Sequence, residues 1–320
     1  MNTHIGIFGG SGFTGIELVT LLAKHASVKL TTVTSDRQVG EPVRGAPALK
    51  YVSHEEGASA KLDIALLATP AEVSLKLAPK LLARGSRVLD LSGAFRLKDA
   101  TLYSKFYGFE HTEPALLAEA VYGLPEVHRA TARLVANPGC YATAAALALR
   151  PLIHANAIDP SNIVITAASG VSGAGRKASE EYSFMEIEGD FRAYKVLSHQ
   201  HTPEIAQTVG VKDLVFIPHL LPMHRGILST AVVTVRQGDV AAILRDAYAK
   251  EPLVRLLPSA DAVRVTHAAR TPFCLIGATT NGNKAVIVSA IDNLLKGAAS
   301  QAVQNLNLML GLAETEGLSL

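Results

Sequence analysis

A glycine-rich turn near the amino terminus constrains this chain more than any other feature. The sequence GGSGFTG places Gly10, Gly12 and Gly15 between an apolar segment, residues 5–8, and an amphipathic one, residues 14–25. In a strand, turn and helix of this kind, Gly10 permits the turn, Gly12 lets the backbone approach a pyrophosphate, and Gly15 lets helix and strand pack. The sequence therefore predicts a dinucleotide-binding α/β domain.

The rest of the first half continues this alternation. Predicted strands cover residues 29–34, 62–69 and 87–91, and a predicted helix covers residues 72–83. Because strands and helices alternate with short connections, we expect a parallel, doubly wound sheet of the Rossmann type.

From about residue 162 the pattern changes to longer β-rich segments. The predicted strands are 163–168, 214–221, 229–235, 262–265, 272–276 and 285–290, and a helix is predicted over 293–312. Strands in this density predict a second, separate sheet.

Composition limits the class of partner. The 320 residues carry a net charge of only +2 and no basic run, which argues against nucleic acid as a partner and for a small molecule. No apolar stretch has the length of a membrane span, so no membrane partner is expected. The two cysteines give no disulfide framework, and without a signal peptide the expected location is the cytoplasm.

Cys140 is the candidate nucleophile. It follows Pro138-Gly139 and precedes a small-residue run, so it is expected on a loop that enters a helix. The partial positive charge of a helix N-terminus stabilises a thiolate, and a preceding glycine leaves room for a carbonyl substrate. Cys274, inside a predicted strand, is expected to be an inert buried thiol.

Two histidines are the candidates for general acid/base catalysis. His199 and His201 stand in SHQHTPEI, where alternation in an extended segment would place both on one face. A metal site that included His219 and His224 is the alternative interpretation. The sequence offers no cysteine or carboxylate cluster to complete such a site, so no metal is expected.

The end of the second strand bears on cofactor choice. Asp36 lies about twenty residues past the fingerprint, where a carboxylate could bind the ribose of NAD, but Ser35 and Arg37 suit a 2′-phosphate. The balance favours NADP(H).

An acyl phosphate substrate needs cations, and four stand in suitable settings. Arg96 follows a predicted strand, Arg176 and Lys177 follow a glycine-rich loop, and Arg225 precedes a glycine. Ligands of open α/β sheets gather beyond the strand ends, which is where Arg96 is expected.

Several blocks together resemble one family. In chain order they read GGSGFTG, LDLSGAFR, YGLPE, PGCY, SGVSGAGR, HTPEI and SAIDNLLKGA. These blocks, nearly from end to end of the chain, are similar to those of the N-acetyl-γ-glutamyl-phosphate reductases in the aspartate-semialdehyde-dehydrogenase-like superfamily.

The resemblance implies a reaction in arginine biosynthesis. Cys140 would attack N-acetyl-γ-glutamyl phosphate, phosphate would leave with help from Arg96, and hydride from NADPH would convert the thioester to N-acetylglutamate 5-semialdehyde. His201 would be the acid/base residue, with His199 beside it. Arg176 and Arg225 would join Arg96 in binding substrate.

The resemblance also implies the organisation of the chain. Residues 1–139 would form an NADP-binding Rossmann domain completed by a C-terminal helix, 298–320, and residues 140–297 a mixed-sheet domain for catalysis and oligomerisation. A homodimer or homotetramer would result. The residues expected at the cofactor are Gly10, Ser11, Gly12, Phe13, Thr14, Gly15, Ser35, Arg37, Ser92, Gly170 and Asn293.

Three positions depart from the family pattern. Asp36 stands where a basic residue is usual, Gln200 replaces an arginine between the two histidines, and His224 stands where asparagine is commoner.

Two alternative functions stay open. Related reductases use the same chemistry on aspartyl phosphate or on carrier-linked aminoadipyl phosphate. The alternative from a different functional class is a nucleotide-sensing regulator without turnover.

Overall fold

The computed structural model describes residues 3–176 and 184–320, so the predicted cation Lys177 lies outside the described residues. The chain divides into two compact units. Unit 1 contains Met1–Gly139 and Ala298–Leu320, and unit 2 contains Cys140–Gly297.

Fifteen strands are formed by the described residues. They are β1 (Thr3–Phe8), β2 (Val28–Thr34), β3 (Pro42–Val43), β4 (Ala46–Lys50), β5 (Ile64–Leu67), β6 (Arg87–Asp90), β7 (Val121–Tyr122), β8 (Leu134–Ala136), β9 (Ile158–Gly170), β10 (Arg192–Ala193), β11 (Val215–Leu221), β12 (Ile227–Val235), β13 (Val254–Leu256), β14 (Cys274–Asn281) and β15 (Lys284–Ile291).

Eleven α-helices are formed by the same described ranges. They are α1 (Phe13–Leu22), α2 (His54–Ser59), α3 (Ala71–Ala83), α4 (Leu102–Phe106), α5 (Pro114–Glu119), α6 (Cys140–His154), α7 (Phe184–Ile187), α8 (His201–Val209), α9 (Val240–Tyr248), α10 (Val265–Ala268) and α11 (Ala299–Leu310).

Unit 1 is built on a parallel sheet of six strands in the order β2-β1-β5-β6-β8-β7. Strand β5 shows why its sequence forms a central strand: Ile64 and Leu66 enter one apolar cluster and Ala65 and Leu67 the other. Such a strand is buried on both faces. Helices α1 and α11 supply side chains to the first cluster and α3 to the second, which confirms the predicted doubly wound fold.

Unit 2 contains a mixed sheet of seven strands in the order β10-β11-β9-β12-β15-β14-β13. Strand β9 pairs in parallel with β11 and antiparallel with β12. Helix α6 packs on β12 and β15, and helices α8 and α9 pack on α6. The predicted second sheet is therefore present. Helix α6, the first helix of this unit, packs between the sheet and helices α8 and α9.

Two predicted elements were wrong. Residues 262–265 form no strand; a 3-10 helix, Ala260–Ala262, and α10 occupy this region, because backbone N–H groups there bond to carbonyls three or four residues earlier. The helix predicted from residue 293 begins only at Ala299. The carboxylate of Asp292 accepts the N–H groups of Leu294 and Leu295, which holds the preceding residues in a turn.

Candidate active site

Cys140 is the first residue of α6 and is partly exposed. The helix behind it is fixed: the hydroxyl of Ser289 in β15 donates to the carbonyl of Ala144 at 2.8 Å. The first N–H groups of a helix have no partner within the helix, so a thiolate at this position lies in a favourable electrostatic field. The structure thus places the predicted nucleophile on a rigid element.

The cavity beside Cys140 lies within unit 2 and has a volume of about 210 Å³. Its described lining includes Ser169 and Gly170 at the end of β9, Lys195 and His201. Cysteine and histidine therefore share one cavity. Among the described residues, no group of three histidine, cysteine or acidic side chains is arranged to hold a metal ion.

The two candidate histidines are close together, but not by the predicted alternation. His201 begins α8 and His199 precedes it in a turn, so the predicted extended segment was wrong. Pro203 explains the difference, because proline favours the first turn of a helix. The ring centroids of His199 and His201 lie 4.8 Å apart.

His199 is held neutral by its surroundings. Its Nδ1 accepts the backbone N–H of His201 at 3.0 Å, so the proton of the neutral ring lies on Nε2. Burial, with smaller contributions from the charges of His201 and Lys195, lowers the pKa of His199 to about 2. A ring with such a pKa does not exchange protons near neutral pH.

A line of hydrogen bonds continues from His199. Its Nε2 lies 3.3 Å from the hydroxyl of Tyr194, which donates to the hydroxyl of Tyr141 at 3.3 Å, and Tyr141 donates to the carbonyl of His219 at 3.1 Å. Burial is the main cause that raises the pKa of Tyr141, so this phenol keeps its proton. These hydrogen bonds hold the Nε2 side of the His199 ring, while the backbone N–H of His201 holds its Nδ1 side.

His201 has different neighbours. Its Nε2 lies 4.0 Å from a carboxylate oxygen of Glu204, one helical turn further along α8. The side chain of Glu204 is fully buried. The surroundings of His201 therefore differ from those of His199, which has no carboxylate partner among the described residues.

Asn293 links two loops of unit 2. Its Oδ1 accepts the N–H of Gly226 at 2.7 Å, and its Nδ2 donates to the hydroxyl of Ser172 at 3.0 Å. Gly170 lies against the first of these loops, because a Cβ there would come within 2.8 Å of the backbone of Met223 and Arg225. The predicted cofactor residues Gly170 and Asn293 thus hold the loop geometry themselves.

The predicted substrate cations of unit 2 differ in their settings. Arg225 is buried, and its Nε lies 3.4 Å from the carboxylate of Asp292, which is also buried. Arg176 is exposed and follows Gly175. Neither arginine is among the described residues that line the cavity.

In unit 1 the fingerprint glycines have separate functions. Gly9, not Gly10, takes the left-handed conformation of the turn, with φ of 83°. A Cβ at Gly10 would lie 2.2 Å from Val33, and one at Gly15 would lie 2.3 Å from the carbonyl of Gly9. At Gly12, the N-cap of α1, the nearest atom would be at 3.5 Å. Packing therefore requires glycine at 10 and 15 but leaves Gly12 open for a ligand.

The three residues that follow β2, Ser35, Asp36 and Arg37, have different surroundings. The carboxylate of Asp36 accepts the N–H of His54 at 2.8 Å at the start of α2. Ser35 is buried with its hydroxyl 2.7 Å from that of Ser11, and Arg37 is exposed. Asp36 thus has a local structural partner, while Arg37 projects from the same turn.

Arg96 is fixed beyond β6. Its Nε donates to the carbonyl of Asn137 at 2.8 Å and its Nη2 to the carbonyl of Leu91 at 2.7 Å. The nearby carboxyl of Asp90 is fully buried; desolvation raises its pKa, against the opposing effects of bonds from Ser92 and the charge of Arg96. The hydroxyl of Ser92 donates to Asp90 and accepts the N–H of Ala94, so it too holds this loop.

Four residues of the candidate site were not predicted from the sequence. Tyr194 and Lys195 belong to no recognisable motif, and Glu204 and Ser172 were only parts of longer blocks. A histidine followed by an acidic residue three positions later on a helix is a pattern that would have indicated Glu204.

Comparison with known proteins begins with two family models. Residues 4–135 match "Semialdehyde dehydrogenase, NAD binding domain", and residues 140–293 match "Semialdehyde dehydrogenase, dimerisation domain". Proteins named N-acetyl-gamma-glutamyl-phosphate reductase match over nearly the whole chain. That of Nitrosomonas eutropha is 43% identical and covers 98% of this chain and 97% of its own, and that of Laribacter hongkongensis is 43% identical and covers 99% and 98%.

Solved structures share the fold at low identity. Aspartate semialdehyde dehydrogenase II of Vibrio cholerae, complexed with ASA, superposes with a TM-score of 0.77 at 19% identity over 97% of this chain and 99% of that one. The aspartate semialdehyde dehydrogenase of Candida albicans with NADP has a TM-score of 0.73 at 12% identity over 97% and 99%.

Proposed function

The chain belongs to the N-acetyl-gamma-glutamyl-phosphate reductase family, and we propose that it reduces N-acetyl-γ-glutamyl phosphate to N-acetylglutamate 5-semialdehyde with NADPH, in arginine biosynthesis. One observation supports this most: Cys140 begins α6 and lines the same cavity as His201. A thiolate next to an imidazole is the arrangement that acyl transfer to sulfur requires.

The proposed reaction starts with His201 accepting the thiol proton of Cys140. The thiolate attacks the γ-acyl carbon, a C–S bond forms, and phosphate leaves with the electrons of the broken C–O bond. When NADPH is bound, its nicotinamide supplies a hydride to the thioester carbon. The His201 imidazolium donates a hydrogen bond to the resulting oxyanion, whose collapse breaks the C–S bond and releases the semialdehyde.

His199 acts through His201 in this proposal. It accepts the N–H of His201 and stays neutral, because its pKa is lowered to about 2. We therefore assign the acid/base step to His201 and a positioning function to His199.

The cofactor proposal rests on unit 1. The open space at Gly12 and the N-terminus of α1 suit a pyrophosphate, with Ser11, Phe13 and Thr14 on the same turn. The exposed Arg37 is the group that would pair with a 2′-phosphate, whereas the carboxylate of Asp36 already accepts the N–H of His54. These residues support NADP(H) over NAD.

Arginines are the proposed partners of the substrate's negative charges. We retain Arg96, Arg176 and Arg225 as the candidates, and the guanidinium of Arg96 is fixed by two backbone carbonyls. A buried, preoriented guanidinium binds phosphate with little loss of side-chain freedom.

A second copy of the chain is the proposed protein partner. Val215 in β11 and Val232 in β12 lie on the face of the unit 2 sheet opposite to the buried face, and they are 39% and 43% exposed. Both pair with Val164 in β9, which lies between them. An apolar sheet face of this kind suits the contact of a homodimer, from which a homotetramer could form. Among the described residues neither cysteine forms a disulfide, which is compatible with the proposed cytoplasmic location.

The test is phosphate-dependent reduction of NADP by N-acetylglutamate 5-semialdehyde, the reaction in reverse. Wild type is compared with Cys140→Ala and Cys140→Ser. Activity that both variants lose supports the reaction and its nucleophile. Activity with aspartate semialdehyde or an aminoadipate analogue instead would overturn the substrate, and inactivity with all of them would overturn the enzymatic function in favour of a nucleotide-binding regulator.

A further inference from the structure

Lys195 carries the one permanent charge among the described residues that line the cavity of Cys140 and His201. The remaining described lining is neutral or, in the case of Cys140 and His201, titratable, and includes Gln200, Tyr194 and Ser169. A cavity whose one permanent charge is an ammonium group is electrostatically suited to an anion.

The backbone around Lys195 is held in an uncommon conformation. Lys195 and Leu197 have φ of 43° and 56°, in the left-handed region that side chains rarely adopt. The turn is closed by a hydrogen bond from the N–H of Ser198 to the carbonyl of Lys195 at 3.0 Å. Strain of this kind persists where the surrounding structure requires it, and it is concentrated at functional sites.

The contacts of the ammonium group leave its charge uncompensated. The Nζ of Lys195 donates to Oε1 of Gln200 at 3.4 Å, and among the described residues no carboxylate pairs with it. By contrast, the charge of Arg225 faces the buried carboxylate of Asp292. A neutral amide therefore orients Lys195, and the positive charge remains available to a ligand.

We propose that Lys195, oriented by Gln200, binds an anionic group of the substrate in the cavity that holds Cys140. The inference rests on the proposed function for the identity of the substrate, whose phosphate and α-carboxylate are the two possible anions. The proposal also assigns a function to Gln200. Its amide oxygen accepts a hydrogen bond and so orients the neighbouring lysine, whereas the guanidinium of an arginine at this position would repel it.

Charge-selective alkylation of Cys140 tests the inference without reference to turnover. Iodoacetate is anionic and iodoacetamide is neutral, so the ratio of their rates reports positive charge near the thiol, independently of how much thiolate is present. We expect Lys195→Gln to lower this ratio about fivefold, as one charge in a solvent-accessible site should. Lys195→Arg should keep it, and both variants retain a side chain at the strained position. Cys274 is fully buried and does not interfere.

The matched control is Lys212→Gln, an exposed lysine of the same unit that is not among the described cavity residues. Its alkylation ratio should equal that of wild type. An unchanged ratio in Lys195→Gln would overturn the proposal, even if the wild type proves active.

Steady-state kinetics then identify the anion. In the reverse reaction, Lys195→Gln should raise the KM for phosphate about tenfold if Lys195 binds the phosphate, or the KM for the semialdehyde by as much if it binds the carboxylate. Lys195→Arg should restore most of the lost affinity. If both KM values are unchanged, Lys195 does not bind substrate. If wild type is inactive with this semialdehyde but the alkylation ratio falls, the proposed function fails while the anion site stands.

Discussion

The Nδ1 atom of His199 accepts the backbone N–H of His201 at 3.0 Å. This bond joins His199 to the first residue of helix α8, two positions further along the chain, and occupies one nitrogen of the His199 ring. With Nε2 turned to Tyr194 at 3.3 Å, the neutral ring has both nitrogens occupied. His199 therefore orients the start of the helix that carries His201, which supports His201 as the proposed acid/base residue of the pair.

Substitution of the two histidines should separate these functions. His201→Asn removes the acid/base group, and we expect kcat to fall by about 10²–10⁴-fold. His199→Asn keeps an oxygen able to accept the N–H of His201, so its loss of kcat should be about tenfold or less. Steady-state kinetics compare the kcat values of the two variants, and circular dichroism checks that both are folded. Equal losses in the two folded variants would contradict the assignment.

The pH dependence of stability should report His199 directly. Its pKa is lowered to about 2 in the folded chain from an ordinary value of 6.5, so between these values the unfolded chain binds a proton that the folded one excludes. Stability from this group is full above pH 6.5 and falls as the pH is lowered, by at most about 1.4 kcal/mol per pH unit. His201, Lys195 and the two tyrosines face the same ring, so the group must be isolated by mutation.

Denaturant unfolding at pH 7, 6 and 5 provides the measurement. The difference in free energy of unfolding between wild type and His199→Gln should shrink as the pH falls, because only wild type loses the contribution of the neutral imidazole. A difference that stays constant between pH 7 and pH 5 would mean that His199 is readily protonated in the folded chain.

Much of the fold could be predicted because its signals are local. The buried strand Ile64–Leu67 and the glycine-rich turn determine a parallel sheet through apolar pattern and turn geometry alone. Residues 262–265 could not be predicted, since valines favour a strand but the backbone N–H groups there bond within local turns.

The site was predictable where the chemistry depends on neighbours in sequence. Cys140 before a small-residue run indicated a helix N-terminus, and His199 and His201 were named as a pair. What the sequence could not provide is the direction of hydrogen bonds. That His199 accepts from His201, or that Lys195 meets Gln200 in the cavity, depends on a turn with left-handed residues that no motif marks.

Substitutions at two glycines of the fingerprint, Gly15 and Gly12, should separate effects on packing from effects on cofactor binding. Gly15→Ala places a methyl 2.3 Å from the carbonyl of Gly9, and we expect it to lower the free energy of unfolding by about 1–3 kcal/mol. Gly12→Ala meets nothing closer than 3.5 Å, so its melting temperature should match wild type. Its Kd for NADP should nevertheless rise about tenfold or more, because the methyl occupies the approach of the pyrophosphate. Calorimetry measures both quantities, and normal cofactor affinity in Gly12→Ala would contradict this arrangement.

Cofactor preference should depend on Arg37. Arg37→Ala is expected to raise the KM for NADPH about tenfold and to leave that for NADH nearly unchanged, since only the former has a 2′-phosphate. Asp36→Asn keeps an oxygen for the N–H of His54 and removes a negative charge, so it should lower the KM for NADPH. A rise in the KM for NADH in Asp36→Asn would indicate instead that this carboxylate binds the ribose of NAD.

Gly297 should control the position of Cys140, the proposed nucleophile. A Cβ there would lie 2.7 Å from the Cβ of Cys140 and 2.8 Å from the Cα of Asn293, both on rigid segments. We expect Gly297→Ala to displace the thiol and to slow its reaction with iodoacetamide about tenfold or more, since small misplacements of a reacting group have effects of this size or larger. Gly12→Ala is the control, because it lies in unit 1 and its methyl would meet nothing closer than 3.5 Å. Should both variants react as fast as wild type, the contact with Gly297 does not determine where Cys140 lies.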